Sequence, residues 1–329
     1  MAIYEKPDMA LWTGRTDSHE NYDAFRWHQW IKPLDLNDAP LHLPPAVISI
    51  AFLGFKSDEG VRRNLGRTGA AKGPMSIRKE LCNLPCSFTQ ELKLYDAGNI
   101  LCDDGDLESA QKALGVAINK LLSLEIFPII LGGGHEVAYG SYQGLMRAGF
   151  EPGIINFDAH FDIRPYQDKG SSGTMFRQIY DDLNRRGYPF NYFAIGIQKR
   201  GNTVDLFKTA DRIGAEYLMA KDIGEGELTE ALKKLDAFIT RQNQLYVTIC
   251  TDVFSSAFAP GVSATQPLGL HPERILKFFK TIFRSGKVML FDIAEVSPRF
   301  DNDNVTSNLA ATFVFSAINS LASLKHIGL

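Results

Sequence analysis

Short apolar runs recur along this chain, each followed by a stretch with helical spacing, and that alternation leaves few folds open. The runs are residues 46–54, 127–131, 153–157, 192–197, 217–221, 245–251 and 287–293. Several are nearly unbroken Val, Ile, Leu and Phe, as expected of strands covered on both faces. Amphipathic stretches occupy 107–124, 137–148, 204–213, 229–242, 272–283 and 308–323. Strands alternating with helices predict an α/β fold of three layers, a mostly parallel central sheet between two layers of helices. A chain of 329 residues, 45% hydrophobic, can bury such a core in one domain. Residues 1–44 break the pattern. They hold all three Trp (Trp12, Trp27, Trp30) and much Pro and Asp, and are expected to form an irregular N-terminal cover over a single catalytic domain, 45–329.

The formal net charge of -3 provides no basic surface for nucleic acid or anionic membrane. No run is read as approaching the roughly 20 apolar residues of a membrane span. The N-terminus lacks the charged-then-apolar pattern of a secretion signal. A cytoplasmic protein acting on a small polar molecule is therefore expected. Four cysteines in so long a chain read as reduced thiols, with Cys82 and Cys86 buried rather than metal-bound.

In open parallel sheets, ligands bind at the carboxyl ends of the strands. Chemical residues collect at those ends here. After 127–131 comes Gly132-Gly133-Gly134-His135-Glu136, where the glycines permit a sharp turn. After 153–157 comes Asp158-Ala159-His160-Phe161-Asp162, whose i, i+2, i+4 spacing in extended chain would aim Asp158, His160 and Asp162 to one side. The run 245–251 ends in Cys250-Thr251-Asp252, and 287–293 leads into Asp292-Ile293-Ala294-Glu295. So many carboxylates and imidazoles need a compensating positive charge, and a divalent cation is the natural partner. Imidazole and carboxylate suit Mn, Zn or Fe. Two ions held together would activate water for hydrolysis near neutral pH.

These motifs resemble the arginase/agmatinase (ureohydrolase) superfamily. Softer signals resemble its formimidoylglutamase branch: Trp12-Thr13-Gly14-Arg15, Glu59-Gly60-Val61-Arg62-Arg63-Asn64, Ser171-Ser172-Gly173-Thr174 and Ala259-Pro260-Gly261-Val262-Ser263. The resemblance implies an arginase-like α/β/α fold and hydrolysis of the amidine C–N bond of N-formimidoyl-L-glutamate, giving glutamate and formamide, as in histidine degradation. It implies two Mn2+ per chain, with His135, Asp158, His160, Asp162 and Asp252 as ligands and Asp158 bridging. Glu295 matches the acid that binds the amidine nitrogens, and Asp252 or Asp292 is expected to accept a proton.

Two positions depart from the superfamily pattern. Phe176 stands where arginases carry a proton-moving His, which argues against arginase. Cys250 stands where a bridging Asp is usual, so the second ion is expected to be held less firmly. A substrate with two carboxylates predicts arginines in the pocket, with Arg164 and Arg177 first and Arg67 and Arg15 next. Symmetric homo-oligomers are common and expected. The competing readings are another ureohydrolase, agmatinase- or guanidinobutyrase-like, and a metal-depleted, non-catalytic relative.

Overall fold

A computed structural model describes residues 3–38, 43–224, 226 and 228–328. Among the described residues, ten strands form one sheet. In chain order they are β1 (Tyr4–Glu5), β2 (Lys32–Pro33), β3 (Ile48–Lys56), β4 (Leu92–Leu101), β5 (Ile126–Leu131), β6 (Gly153–Phe157), β7 (Tyr192–Ile197), β8 (Glu216–Met219), β9 (Leu245–Cys250) and β10 (Val288–Ala294). The strand order is β1-β4-β3-β5-β10-β9-β6-β7-β8, with β2 also on β4. Every pairing is parallel except β1 with β4. The α-helices are α1 (Trp27–Trp30), α2 (Glu59–Arg63), α3 (Gly73–Leu81), α4 (Leu107–Ser123), α5 (Val137–Arg147), α6 (Met175–Arg186), α7 (Val204–Arg212), α8 (Ala220–Gly224), α9 (Thr229–Arg241), α10 (Pro272–Arg284) and α11 (Val305–Leu324).

Strand alternation splits the core into two layers. Phe52, Ile129, Phe157, Val247 and Phe291 face α3, α9, α10 and α11. Leu53, Ile130, Ile154, Tyr246 and Leu290 face α4, α5, α6 and α7. The three-layer α/β/α expectation therefore holds. α11 is long and apolar enough to cross a membrane by length and composition, against the sequence expectation that no run approaches that length, but 61% of its apolar window is buried inside the fold. It packs on α3 and α10 as a core helix.

The N-terminal segment is less irregular than expected. Its described residues add β1 and β2 to the sheet edge. Trp12 and Trp27 both stack on Phe52, and Trp12 Nε1 donates to Asp96 Oδ2 at 2.7 Å. Burying about 150–250 Å² per aromatic ring ties this segment to the main core rather than laying it over the outside. β4 was not expected, because Lys93, Asp96, Gly98 and Asn99 interrupt its apolar run. One residue of α3 satisfies most of their polarity: Arg78 donates to Asp96 Oδ1 and Oδ2 and to the Asn99 and Gly98 oxygens. Helices α3 and α6 were also unforeseen, and residues 220–221 begin α8 rather than ending a strand.

Candidate metal centre

Four central strands, β5, β10, β9 and β6, deliver their carboxyl ends to one cavity of about 310 Å³. His135, His160, Asp162, Cys250, Asp252 and Glu295 line its floor, and Asn64, Arg67, Arg164, Ser172 and Ser263 its walls.

Glycine brings His135 there. A Cβ on Gly133 would lie 1.7 Å from the Ser57 carbonyl oxygen, so only Gly permits this turn. The His135 backbone N–H donates to Glu295 Oε1 at 2.9 Å. Its ring Nε2 sits 2.9 Å from Thr248 Oγ1, leaving Nδ1 to face Asp158 Oδ2 at 2.9 Å and Asp162 Oδ2 at 3.2 Å. With the Nε2 proton on Thr248, the Nδ1 lone pair is free for a cation. On the other side of Asp158, His160 Nδ1 lies 3.3 Å from Asp158 Oδ1 and 3.1 Å from Asp252 Oδ2.

Asp158, His160 and Asp162 do converge, but not by strand alternation. β6 ends at Phe157, and Asp162 turns back with φ +51°. Glu295, just past β10, is also left-handed, at φ +67°. Strained non-glycine backbone of this kind collects at functional sites.

The electrostatics call for positive charge. Burial, then the Asp158 charge, pushes the Asp162 carboxyl up to about 7. Burial, then Glu136, pushes Glu295 up to about 8. Burial and then Asp158 raise Asp252. Asp158 is held well below the usual carboxylate range: its burial is outweighed by hydrogen bonds and charge from His135 and His160. Both imidazoles are raised well above their usual value, because the neighbouring carboxylates outweigh burial. Glu295 Oε2, fully buried, has no hydrogen-bond partner among the described residues. Two groups of potential ligand atoms lie within 4.8 Å of one another, His135–Asp158–Cys250 and Asp158–His160–Asp252. They share Asp158, so the donor set fits two divalent cations bridged by that carboxylate.

Three expected residues are elsewhere. Asp292 lies within β10 beneath the cavity, paired in register with Thr248, and there Ser141 Oγ donates to it at 2.7 Å and the Tyr246 hydroxyl also donates. Its alternation partners Leu290 and Ala294 lie in the layer that faces α4 to α7. Asp292 is not among the residues that line the cavity. Arg177, on α6, pairs with Asp181 at 3.1 Å and lies over Tyr180, away from the cavity. Arg15 is likewise distant, paired with Asp17. Arg164 and Arg67 do face the cavity. Arg67 is pinned by the Ser263 and Val262 carbonyls and lies 4.2 Å from the Phe300 ring centre. Phe176 packs edge-on to His135, with centroids 5.7 Å apart.

Sequence reasoning assigned no role to Glu136, Asn64, Ser172 or Ser263. Glu136 is fully buried, and its Oε1 accepts from Ser57 Oγ at 3.0 Å and Gly60 N at 2.9 Å. Its place beside His135 in the glycine turn was the one available signal. The three wall residues come from loops with no periodicity to read; the signal for each was its place in a segment resembling the formimidoylglutamase branch, residues 59–64, 171–174 and 259–263.

Residues 48–319 match the family model described as the arginase family. A Clostridium tetani protein named formimidoylglutamase is 56% identical, over 99% of this chain and 98% of its own length. A Geobacillus formimidoylglutamase is 44% identical, with 96% of each chain covered. The crystal structure titled Trypanosoma cruzi formiminoglutamase with Mn2+2 aligns at 25% identity and TM-score 0.74, covering 84% of this chain and 94% of that one. A formimidoylglutamase from Bacillus subtilis shares the fold at 23% identity and TM-score 0.79, covering 93% and 94%. Family model and near full-length relatives agree with the cavity built at the four strand ends, and on that evidence the chain belongs to the arginase family.

Proposed function

We propose that this protein is a formimidoylglutamase using two divalent cations, manganese among them, hydrolysing N-formimidoyl-L-glutamate to L-glutamate and formamide. One observation supports this most: one cavity is lined both by His135, His160, Asp162, Cys250 and Asp252, which gather around the buried Asp158, and by two arginines, Arg67 and Arg164. A substrate with an amidine at one end and two carboxylates at the other matches that polarity. The relatives' names point to the same reaction.

His135, Asp158, Asp162 and Cys250 would hold one ion, and Asp158, His160 and Asp252 the other. When bound, the ions supply the Lewis acidity that makes water nucleophilic near neutral pH. Glu295, ionised, aligns the cationic amidinium through its unpartnered Oε2. Oxygen from water adds to the formimidoyl carbon, the bond to the glutamate nitrogen breaks, and that nitrogen leaves with a proton. Asp252, which lines the cavity, would accept and return that proton; Asp292, held by Ser141 and Tyr246, does not line it. Arg164 and Arg67 clamp the glutamate carboxylates. Four free cysteines accord with a reducing, cytoplasmic setting.

The test is a substrate panel on the manganese-loaded protein. Formamide and glutamate should appear from N-formimidoyl-L-glutamate, with no urea from arginine, agmatine or 4-guanidinobutyrate. Urea release without formamide release would replace this reading with another ureohydrolase, and no hydrolysis of any of the four would point to a non-catalytic relative.

A further inference from the structure

The two ligand groups share Asp158 but are not chemically alike. Around His160 the donors are nitrogen and oxygen only, from His160, Asp158 and Asp252. Around His135 one donor is the sulfur of Cys250. Cys250 is the last residue of β9, with extended backbone and 2% exposure, and its side chain lies opposite the apolar Ile249. Alternation therefore aims the thiol at the cavity floor rather than into the core. The His135 ring beside it keeps Nδ1 toward the site while Phe176 walls its edge. The unpartnered Glu295 Oε2 lines the same space. The cysteine is thus one member of a buried, converging donor set.

A carboxylate in this position could offer two hard oxygens, one to each ion. A thiolate offers one soft, polarisable atom. Manganese favours oxygen ligands and stands lowest in the affinity order of first-row divalent ions, whereas thiolate favours zinc, iron and cobalt. We propose that the two cation positions are unequal: the His135–Cys250 position takes a thiolate and selects a softer divalent ion such as Zn2+, Fe2+ or Co2+, while the His160–Asp252 position is the manganese site. This inference rests on the two-ion reading above, and its failure is separable from that reading's.

The experiment uses metal-stripped full-length protein under reducing, anaerobic conditions. Titration with Co2+ should bring up a sulfur-to-cobalt charge-transfer band in the near ultraviolet as one position fills. Cys250→Ser and Cys250→Asp should abolish the band while still binding metal. Loading with ¹¹³Cd2+ reads the wild-type protein directly: one resonance should move downfield as sulfur-ligated cadmium, and the other should stay in the nitrogen–oxygen range. In competition between Mn2+ and Zn2+, wild type should retain one of each, and Cys250→Asp should gain about tenfold or more in Mn2+ affinity at the altered position, the shift expected of about 1.4 kcal/mol. Two cadmium signals both in the nitrogen–oxygen range, or a cobalt spectrum unchanged in Cys250→Ser, would overturn the inequality and leave the two-ion site standing. Failure to bind any divalent cation would overturn both.

Discussion

At the scale of single residues, Glu295 concentrates the most function in one side chain. Its backbone is left-handed, one carboxylate oxygen holds the His135 N–H, and the other is buried without a partner. Glu295→Gln keeps the shape and removes the charge. We expect kcat for N-formimidoyl-L-glutamate to fall at least about 100-fold, the scale of a lost charge-assisted or proton-handling group, with metal content unchanged by elemental analysis. Turnover near the wild-type rate would remove Glu295 from the reaction. The arginines separate by position. Arg164→Ala should raise KM by about 10- to 100-fold, as a lost charged hydrogen bond does, whereas Arg177→Ala should leave KM within about a factor of two, as befits a surface pair. Equal effects on KM would contradict the cavity geometry. The sequence made the arginine requirement readable but not which arginine meets it. Arg177 seemed apt beside Ser171-Ser172-Gly173-Thr174, yet α6 begins at Met175 and rotates Arg177 outward to Asp181.

At the scale of elements, the cavity depends on how the segment after β3 is fastened to the turn after β5. Glu136 makes that joint. It follows His135 in sequence and accepts from Ser57 and Gly60, which lie at the start of the wall carrying Asn64 and Arg67. A Cβ on Gly60 would sit 2.5 Å from the Glu136 carboxyl carbon. Gly60→Ala should therefore cost about 1–3 kcal/mol of stability, the price of overpacking, and raise KM by displacing the wall. Glu136→Gln keeps an acceptor for both donors and should bind substrate nearly as wild type does, whereas Glu136→Ala should not. Melting curves and KM for the three variants decide this, and an unperturbed Gly60→Ala enzyme would refute the joint. Elements were legible where the apolar run was clean, as in β5, β6, β9 and β10. They were not where polar residues are satisfied by distant partners, as Asp96 of β4 is by Arg78 and Trp12. Asp292 shows the same limit from the other side. Glu295 lies past the end of β10, where left-handed backbone turns it into the cavity, while Asp292 stays within the strand in register with Thr248.

At the scale of the whole molecule, the acidic cluster couples folding to cation binding and pH. The carboxyls of Asp162 and Glu295 rise from ordinary values near 4 to about 7 and about 8 in the folded chain without a cation. A raised folded value means that the fold binds more protons than the unfolded chain over that window. The resulting stability is fully present below about pH 4 and is lost as pH rises through 7 to 8. The two raised imidazoles act with the same sign above their ordinary value of 6.5. Asp158, held low, acts oppositely, but only under acidic conditions below that window. Divalent cations compete with these same protons, so their affinity should climb about tenfold per pH unit for each proton displaced. The metal-stripped protein should then melt at progressively lower temperature from pH 5.5 to 8.5, while the manganese-loaded protein holds or gains. The gap between the two melting curves should widen across that range, because binding to the native state adds stability as affinity grows. A gap that stays constant or narrows toward pH 8.5 would mean that the buried carboxylates are not where the ions bind.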